Sequence, residues 1–270
     1  MKTLSAQQPI GIFDSGIGGL TVAREIQKQL PQERIIYFGD TAHVPYGDKS
    51  KASIINYSER ITRFLLEENC KAIIIACNTA SAMAYSKIKK QYGKEAHIFN
   101  VIDPVCQYVS QKEVENVGVI GTKATISSRI YARKIKRLNQ HMIVNQAATP
   151  LLAPMIEEGF FNNNISKTII HSYLSKNNLK GIEAIILGCT HYPLIKKEVD
   201  HFYKKKTEVI DSAQIVVNHI NKTLTAKKLL NTSGKPKHQF IVSDYTASFS
   251  ESTEIFFGSK IKLKEVRLWD

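Results

Sequence analysis

Ala72-Ile-Ile-Ile-Ala-Cys77-Asn78-Thr79 returns 112 residues later as Ala184-Ile-Ile-Leu-Gly-Cys189-Thr190-His191. Each copy is a short apolar run that ends in a cysteine followed by small polar residues. Such a run reads as a strand buried on both faces of a parallel sheet, and the crevice outside the carboxyl ends of parallel strands is where open α/β sheets hold ligands. Cys77 and Cys189 are therefore expected at the same point of two related half-structures, one sulfur on each side of a bound molecule. A second echo lies in the same order: Pro9-Ile-Gly11-Ile-Phe-Asp14-Ser15-Gly16 is similar to Asn116-Val-Gly118-Val-Ile-Gly121-Thr122-Lys123, with the glycines 107 residues apart. Hydrophobic strands resemble one another by composition, so neither echo alone carries a repeat. The agreement of the two offsets does.

Working outward from these segments, strands and helices alternate along most of the chain, the signature of an α/β protein with parallel sheets. Strands are expected at 10–13, 34–38, 72–76, 97–101, 117–120, 184–187, 208–210 and 239–242. Helices are expected at about 20–29, 51–68, 81–92, 127–138, 166–175, 194–203 and 213–229. In 51–68, Ile54, Ile55, Ile61, Phe64 and Leu65 form a helical stripe and Ser50 can cap its start. Segments 162–164 and 231–236 read as plain connections. The expected architecture is two pseudo-symmetric lobes, each a mainly parallel sheet flanked by helices, with the active site in the cleft between them. No interdomain linker stands out, as befits a chain that crosses between lobes; the expected division is 1–98 with 211–270 for one lobe and 99–210 for the other.

The 270 residues exceed the usual size of a single core, and a hydrophobic content of 43% is enough to fill two. No run has membrane-spanning length, and no apolar block of signal-peptide length precedes the first strand, which makes the cytoplasm the expected location. Cys70, Cys77, Cys106 and Cys189 are too few and too scattered for a disulfide scaffold and lack the spacing of a zinc site. Reduced thiols are expected, with Cys70 and Cys106 as small buried hydrophobes. The 37 basic against 24 acidic residues give a net charge of +13, which admits a nucleic-acid partner. The lysines, however, fall in helix-like stretches such as Lys87-Ile-Lys89-Lys90 and Lys134-Ile-Lys136-Arg137 without interleaved aromatics or a binding motif. Solvated faces account for them, and no nucleic-acid partner is expected. The positive field would still draw in a small dianion.

Two loops carry further chemistry. Asp14-Ser15-Gly16-Ile17-Gly18-Gly19 stands between a strand and a helix, where converging backbone N–H groups hold an anion. It lacks the Lys-Ser/Thr ending of a nucleoside-triphosphate loop and the spacing of a dinucleotide fingerprint, so a carboxylate suits it as well as a phosphate. Asp40-Thr-Ala-His43-Val-Pro45-Tyr46-Gly47 reads as a rigid binding loop punctuated by proline and glycine. Each candidate thiol precedes residues that start a helix, a position whose dipole favours thiolate. That matters because a free cysteine, with a pKa of about 8.5, is mostly protonated at neutral pH and a general base must be ionised. His191, two residues past Cys189, is a candidate proton partner, with a structural role at the turn before Pro193 as the alternative.

The combination Asp14-Ser15-Gly16, Pro45-Tyr46-Gly47, Cys77-Asn78-Thr79 and Gly188-Cys189-Thr190-His191-Tyr192-Pro193 closely resembles the cofactor-independent aspartate/glutamate racemase family, in its glutamate branch. The resemblance runs from Gly11 to about Asp211, and the last fifty or so residues carry no comparable signature. It implies two α/β lobes enclosing free glutamate, with Cys77 deprotonating D-glutamate, Cys189 deprotonating L-glutamate, and no pyridoxal phosphate, metal or other cofactor. It further implies Asp14, Glu157 and His191 as auxiliary residues, Glu157 being preferred to Glu158 because the family's acid directly follows the apolar pair. Asp14, Ser15, Tyr46, Gly47, Asn78, Thr79, Thr122, Thr190 and His191 are implied as the substrate-binding shell. The family's role is the supply of D-glutamate for bacterial peptidoglycan, and a homodimer is compatible with it.

One departure is visible. Where the family usually reads Asp-Thr-Ala-Arg ahead of the Pro-Tyr-Gly loop, this chain has His43, which bears on the entrance or a salt bridge near it. The rival expectations are a racemase for aspartate or hydantoins on the same scaffold, and a basic binding protein that has lost catalysis. Retention of both cysteines with their threonine neighbours argues against loss.

Overall fold

The computed structural model describes residues 3–269. Ten strands form two wholly parallel sheets: β1 (Ile10–Asp14), β2 (Ile35–Gly39), β3 (Ala72–Ile75), β4 (His97–Asn100), β5 (Asn116–Gly121), β6 (Ile143–Ala148), β7 (Ala184–Gly188), β8 (Glu208–Ile210), β9 (Gln239–Val242) and β10 (Leu263–Glu265). The first sheet has the order β10-β9-β2-β1-β3-β4 and the second β6-β5-β7-β8. Counted from the first strand of each half, both follow the order second, first, third, fourth. The duplication read from the two echoes is therefore a duplication of topology, and β9 with β10 is an addition to the outer side of the first sheet.

The register carries the same symmetry. Phe13 pairs with Ile75 between β1 and β3, and Gly121 pairs with Gly188 between β5 and β7, so the carboxyl ends of each pair stand level. In each sheet this is where the chain switches from one side of its first strand to the other, the point at which open α/β sheets form a crevice. The echoed glycines sit where neighbouring elements press on the central strands. A Cβ on Gly11 would stand 3.0 Å from Cys70 Sγ, and one on Gly118 would stand 2.5 Å from Ile182 Cδ1.

Alternate residues of the first sheet feed two cores, as a period of two requires. Ile10, Ile12, Ile35, Tyr37, Ala72 and Ile74 join one; Phe13, Ile36, Phe38, Ile73 and Ile75 join the other. The first core continues through Val216, Val217 and Ile220 of helix Ser212–Ala226 to Val117, Val119 and Ile185 of the second sheet. That helix packs on both Leu20–Gln29 and Asp103–Ser110.

The helices depart from expectation where capping decides. The helix expected at 81–92 starts at Asn78, because Cys77 is itself the N-cap and its sulfur accepts the Ala80 N–H at 3.5 Å. The helix expected at 127–138 divides into Lys123–Ser127 and Ile130–Leu138, with Arg129 between them in the left-handed region at φ 53°. Asn163, in a stretch read as a plain connection, caps Asn164–Leu174 through a reciprocal pair with Ser166. Strand β4 runs to Asn100, so the boundary expected at 98 falls inside it. No helix among the described residues is long and apolar enough to cross a membrane.

Under the amino ends of β2 and β3 lies a buried ion pair. Lys71 Nζ stands 2.7 Å from Glu33 Oε2 and also donates to the Ala6 carbonyl, and the Asn231 N–H donates to Glu33 Oε1 at 2.8 Å. Burial pushes the Glu33 carboxyl up and the Lys71 ammonium down, and their mutual attraction opposes both shifts. Removing one partner leaves an uncompensated buried charge. Lys71→Met is expected to cost about 3–5 kcal/mol in urea unfolding, and Lys71→Met with Glu33→Leu substantially less. Equal losses in the single and double variants would contradict this account.

Candidate active site

The loops after β1, β3, β5 and β7 meet around one cavity of about 40 Å³. Ser15 follows β1, Cys77, Asn78 and Thr79 follow β3, Thr122 follows β5, and Cys189, Thr190 and His191 follow β7. Tyr46 and Gly47 close one side from the loop after β2, and Glu157 another from the end of helix Leu152–Glu157. Eleven of the twelve residues singled out from sequence thus line a single cavity, together with Val44, Pro45, Ala153 and Pro154. Glu158 is exposed.

Asp14 is the residue that does not line it. It is fully buried behind the wall, where its Oδ2 accepts the N–H groups of Gly16 at 3.3 Å and Gly19 at 3.0 Å and its Oδ1 faces the Thr190 hydroxyl at 3.4 Å. This corrects the reading of the glycine loop as an anion cradle, because its Gly16 and Gly19 amides serve Asp14 itself. Burial raises the Asp14 carboxyl, while the His191 charge and the two amides pull it down. Gly18 is needed for close approach, since a Cβ there would stand 2.5 Å from the His191 ring.

The surroundings of the two sulfurs differ. Cys77 Sγ lies 3.6 Å from Ser15 Oγ and accepts the Ala80 N–H at the start of a long helix. Burial nevertheless pushes its thiol up to about 12, with the Asp14 charge adding to the rise. The helix start is therefore not enough to make this thiol a thiolate: burial and the Asp14 charge outweigh the Ala80 amide and the Ser15 hydroxyl. Cys189 leads into the 3₁₀ turn Tyr192–Ile195, and the α-helix begins only at Lys196, so the helix-start expectation does not hold at this thiol. Its neighbour is the His191 ring, with Nδ1 3.5 Å from Sγ and Nε2 2.7 Å from Glu157 Oε1. Burial pulls the imidazole down, but the Cys189 and Glu157 interactions win and hold it well above its ordinary value. A protonated imidazole there can hand a proton to Cys189 or balance the charge of its thiolate.

The rest of the wall is built for polar recognition. Asn78 is 2% exposed, its Oδ1 accepts the Tyr131 hydroxyl at 2.6 Å, and its Nδ2 is buried with no hydrogen-bond partner. An unmet donor of this kind costs about 1–3 kcal/mol unless a ligand oxygen takes it. Thr79 Oγ1 bridges the halves, 2.8 Å from Thr122 Oγ1 and 3.2 Å from Thr125 Oγ1. Tyr131 escaped the sequence reading because its spacing in the helix expected at 127–138 reads only as packing, and Thr125 because the short helix Lys123–Ser127 is not expected at all. No group of three or more His, Cys, Asp or Glu among the described residues is arranged to hold a metal ion.

A profile of the Asp/Glu/hydantoin racemase family matches residues 11–220. The chain belongs to this family. It is 40% identical over 268 residues to a glutamate racemase of Neisseria meningitidis serogroup C, covering 98% of both chains. It is 41% identical over 254 residues to that of Geobacter metallireducens, covering 93% of both. Among solved structures, glutamate racemase of Francisella tularensis in complex with D-glutamate superposes with a TM-score of 0.92 at 39% identity, covering 98% of this chain and 99% of that one. Members are isomerases, and the two-sheet architecture described above is theirs.

The Glu157–His191 pair generates a titration with a definite sign. Because the Cys189 and Glu157 interactions raise the folded-state imidazole, together they contribute stability that is fully present below about pH 6.5 and is lost as pH rises through the raised value. NMR titration of His191 is expected to show a protonated ring through neutrality, and Glu157→Gln to lower its midpoint. A wild-type ring titrating near 6.5 would contradict the arrangement.

Proposed function

We propose that this chain interconverts L- and D-glutamate by moving the α-proton between Cys77 and Cys189. The observation that supports this most is that two sulfurs at the ends of equivalent strands, β3 and β7, line one small polar cavity. Glutamate is favoured over aspartate because the relatives most similar over nearly the full chain are named glutamate racemases, one of them with D-glutamate bound. The D-glutamate formed would serve bacterial peptidoglycan synthesis.

In this reading one thiolate removes the α-proton and the opposite thiol returns one from behind, so each sulfur is base in one direction and acid in the other. Cys77 takes the proton of D-glutamate and Cys189 that of L-glutamate. A thiol raised to about 12 is the proper starting state for an acid, which fits Cys77 when L-glutamate is the substrate. The His191 imidazolium is the natural partner for Cys189 in that same direction. The unmet Nδ2 of Asn78, with the hydroxyls of Ser15, Thr79, Thr122 and Thr190, would take substrate carboxylate oxygens and the charge that develops beside them. Asp14 assists from behind the wall, its charge felt at Cys77 and its carboxylate steadying Thr190.

A cavity of about 40 Å³ has room for about three waters. Glutamate enters only as the walls part, and closure over it would exclude water from the carbanion.

Circular dichroism of glutamate solutions started from either enantiomer is expected to decay to zero with no cofactor added. Cys77→Ala and Cys189→Ala are each expected to abolish that decay, a fall of about 100-fold or more. Full activity in either variant, or a requirement for pyridoxal phosphate, would defeat the proposal.

A further inference from the structure

We propose that His43 and Trp269 are positioning residues for the substrate cavity, acting through the buried carboxylate of Asp40 on the Tyr46-Gly47 wall. The inference rests on the reading of that cavity as a glutamate site. Asp40, fully buried just past the end of β2, collects hydrogen bonds from four side chains. Tyr46 donates its hydroxyl to Oδ2 at 2.6 Å, Ser243 donates to Oδ1 at 2.8 Å, the His43 ring nitrogen Nδ1 lies 3.0 Å from both oxygens, and Trp269 Nε1 donates to Oδ1 at 3.1 Å. A carboxylate offers about four acceptor sites, so this one is saturated and each donor is fixed against the others.

The four donors reach Asp40 from three separate parts of the chain: His43 and Tyr46 from its own loop, Ser243 and Trp269 from the C-terminal region. Ser243 directly follows β9, and Trp269 lies beyond β10, a region without any counterpart in the second half. The 266–269 segment is itself tied down. The Val266 N–H donates to the Val242 carbonyl at 2.9 Å, Arg60 Nη2 donates to the Leu268 carbonyl at 2.7 Å, and the Arg60 guanidinium lies 4.9 Å over the Trp269 ring. His43 stacks on Tyr57 with ring centroids 3.9 Å apart and meets Trp269 edge-on at 4.5 Å. Histidine is therefore clamped on both faces of its role, as a stacked ring and as a donor to Asp40.

What this cluster holds is the Tyr46-Gly47 side of the cavity. The segment from Thr41 to Asp48 has only two single 3₁₀ turns of its own; Thr41 and Ala42 are tied to Asp244 and Ser243, and past them Asp40 is what holds the His43 and Tyr46 side chains. Its far end reaches across to the second half. A Cβ on Gly47 would stand 3.0 Å from Thr122 Cβ, and Lys123 Nζ lies 3.2 Å from Asp48 Oδ1. Substrate entry must separate Gly47 from Thr122, and productive closure must restore the same contact. A wall anchored at Asp40 returns to one position; a wall with a donor missing returns to several, and binding weakens while the proton-transfer groups remain untouched.

Trp269 is the only tryptophan of the chain, so its emission reports this cluster alone. The full chain should be compared with Trp269→Phe and His43→Phe, which keep a packed ring and remove one donor each, and with His43→Arg, which keeps a donor to Asp40. KM for D-glutamate is expected to rise about fivefold or more in both phenylalanine variants with kcat held within about twofold, and to stay within about twofold of wild type in His43→Arg. Saturating D-glutamate is expected to shift the wild-type tryptophan emission. An unchanged KM in both phenylalanine variants, a fall in kcat at constant KM, or an emission indifferent to D-glutamate would overturn the inference. A wild-type chain that leaves glutamate unchanged would overturn the cavity reading itself, and this inference with it.

Discussion

In the proposed reaction two sulfurs would address one carbon from opposite sides, a relation that side chains on flexible loops could not hold. Here the constraint is met by backbone. β3 and β7 are each paired in parallel register with the first strand of their own half, so the residue after each strand is placed by the ladder hydrogen bonds of a buried sheet. The same duplication puts Cys77 and Cys189 at equivalent positions, just past the matching strand register of each half. Everything else around the cavity, from the threonines that bridge the halves to the helix that starts at Asn78, is arranged around that pair.

The symmetry stops at the strand ends, and the departure from it is electrostatic. Cys77 is surrounded by a serine, a helix start and the charge of Asp14, and burial keeps it a thiol. Cys189 faces the His191 imidazole, whose other nitrogen lies against Glu157 and whose basicity is raised by both neighbours. A racemase needs one acid and one base at any instant and must exchange the roles between directions. In the proposed reaction, two environments that hold protons differently would begin that division of labour before substrate arrives; Asp14 lies against Thr190 on one side and its charge is felt at Cys77 on the other.

Much of the fold and the site is legible in the sequence because both are carried by short local signals. The apolar runs of β1, β3, β5 and β7 end in polar residues that the topology then gathers, which is why the residues after them could be named as cavity residues. Strand β6, Ile143-Val-Asn-Gln-Ala-Ala, is not legible, because an edge strand only half-buried along most of its length has no continuous apolar run. Strand β10 is three residues long and equally polar. Helix Asp103–Ser110 opens on a proline at its first turn, and that residue reads as a loop until its neighbours are seen. The burial of Asp14 and the raised thiol of Cys77 were misread for one reason: sequence spacing shows which groups can meet but not how much water remains with them. The Asp40 cluster joins residues more than 200 positions apart, and no local pattern announces it.

The central claim is that two different sulfurs handle the α-proton, one on each face. The most direct measurement is the early course of reaction in deuterated water, following label at Cα of substrate and product separately by NMR or mass spectrometry. Two thiols working in turn predict that the first product formed carries deuterium while the remaining substrate stays largely unlabelled. Rapid appearance of label in the substrate pool from the outset, at a rate matching product formation, would point to a single exchanging base and contradict the account.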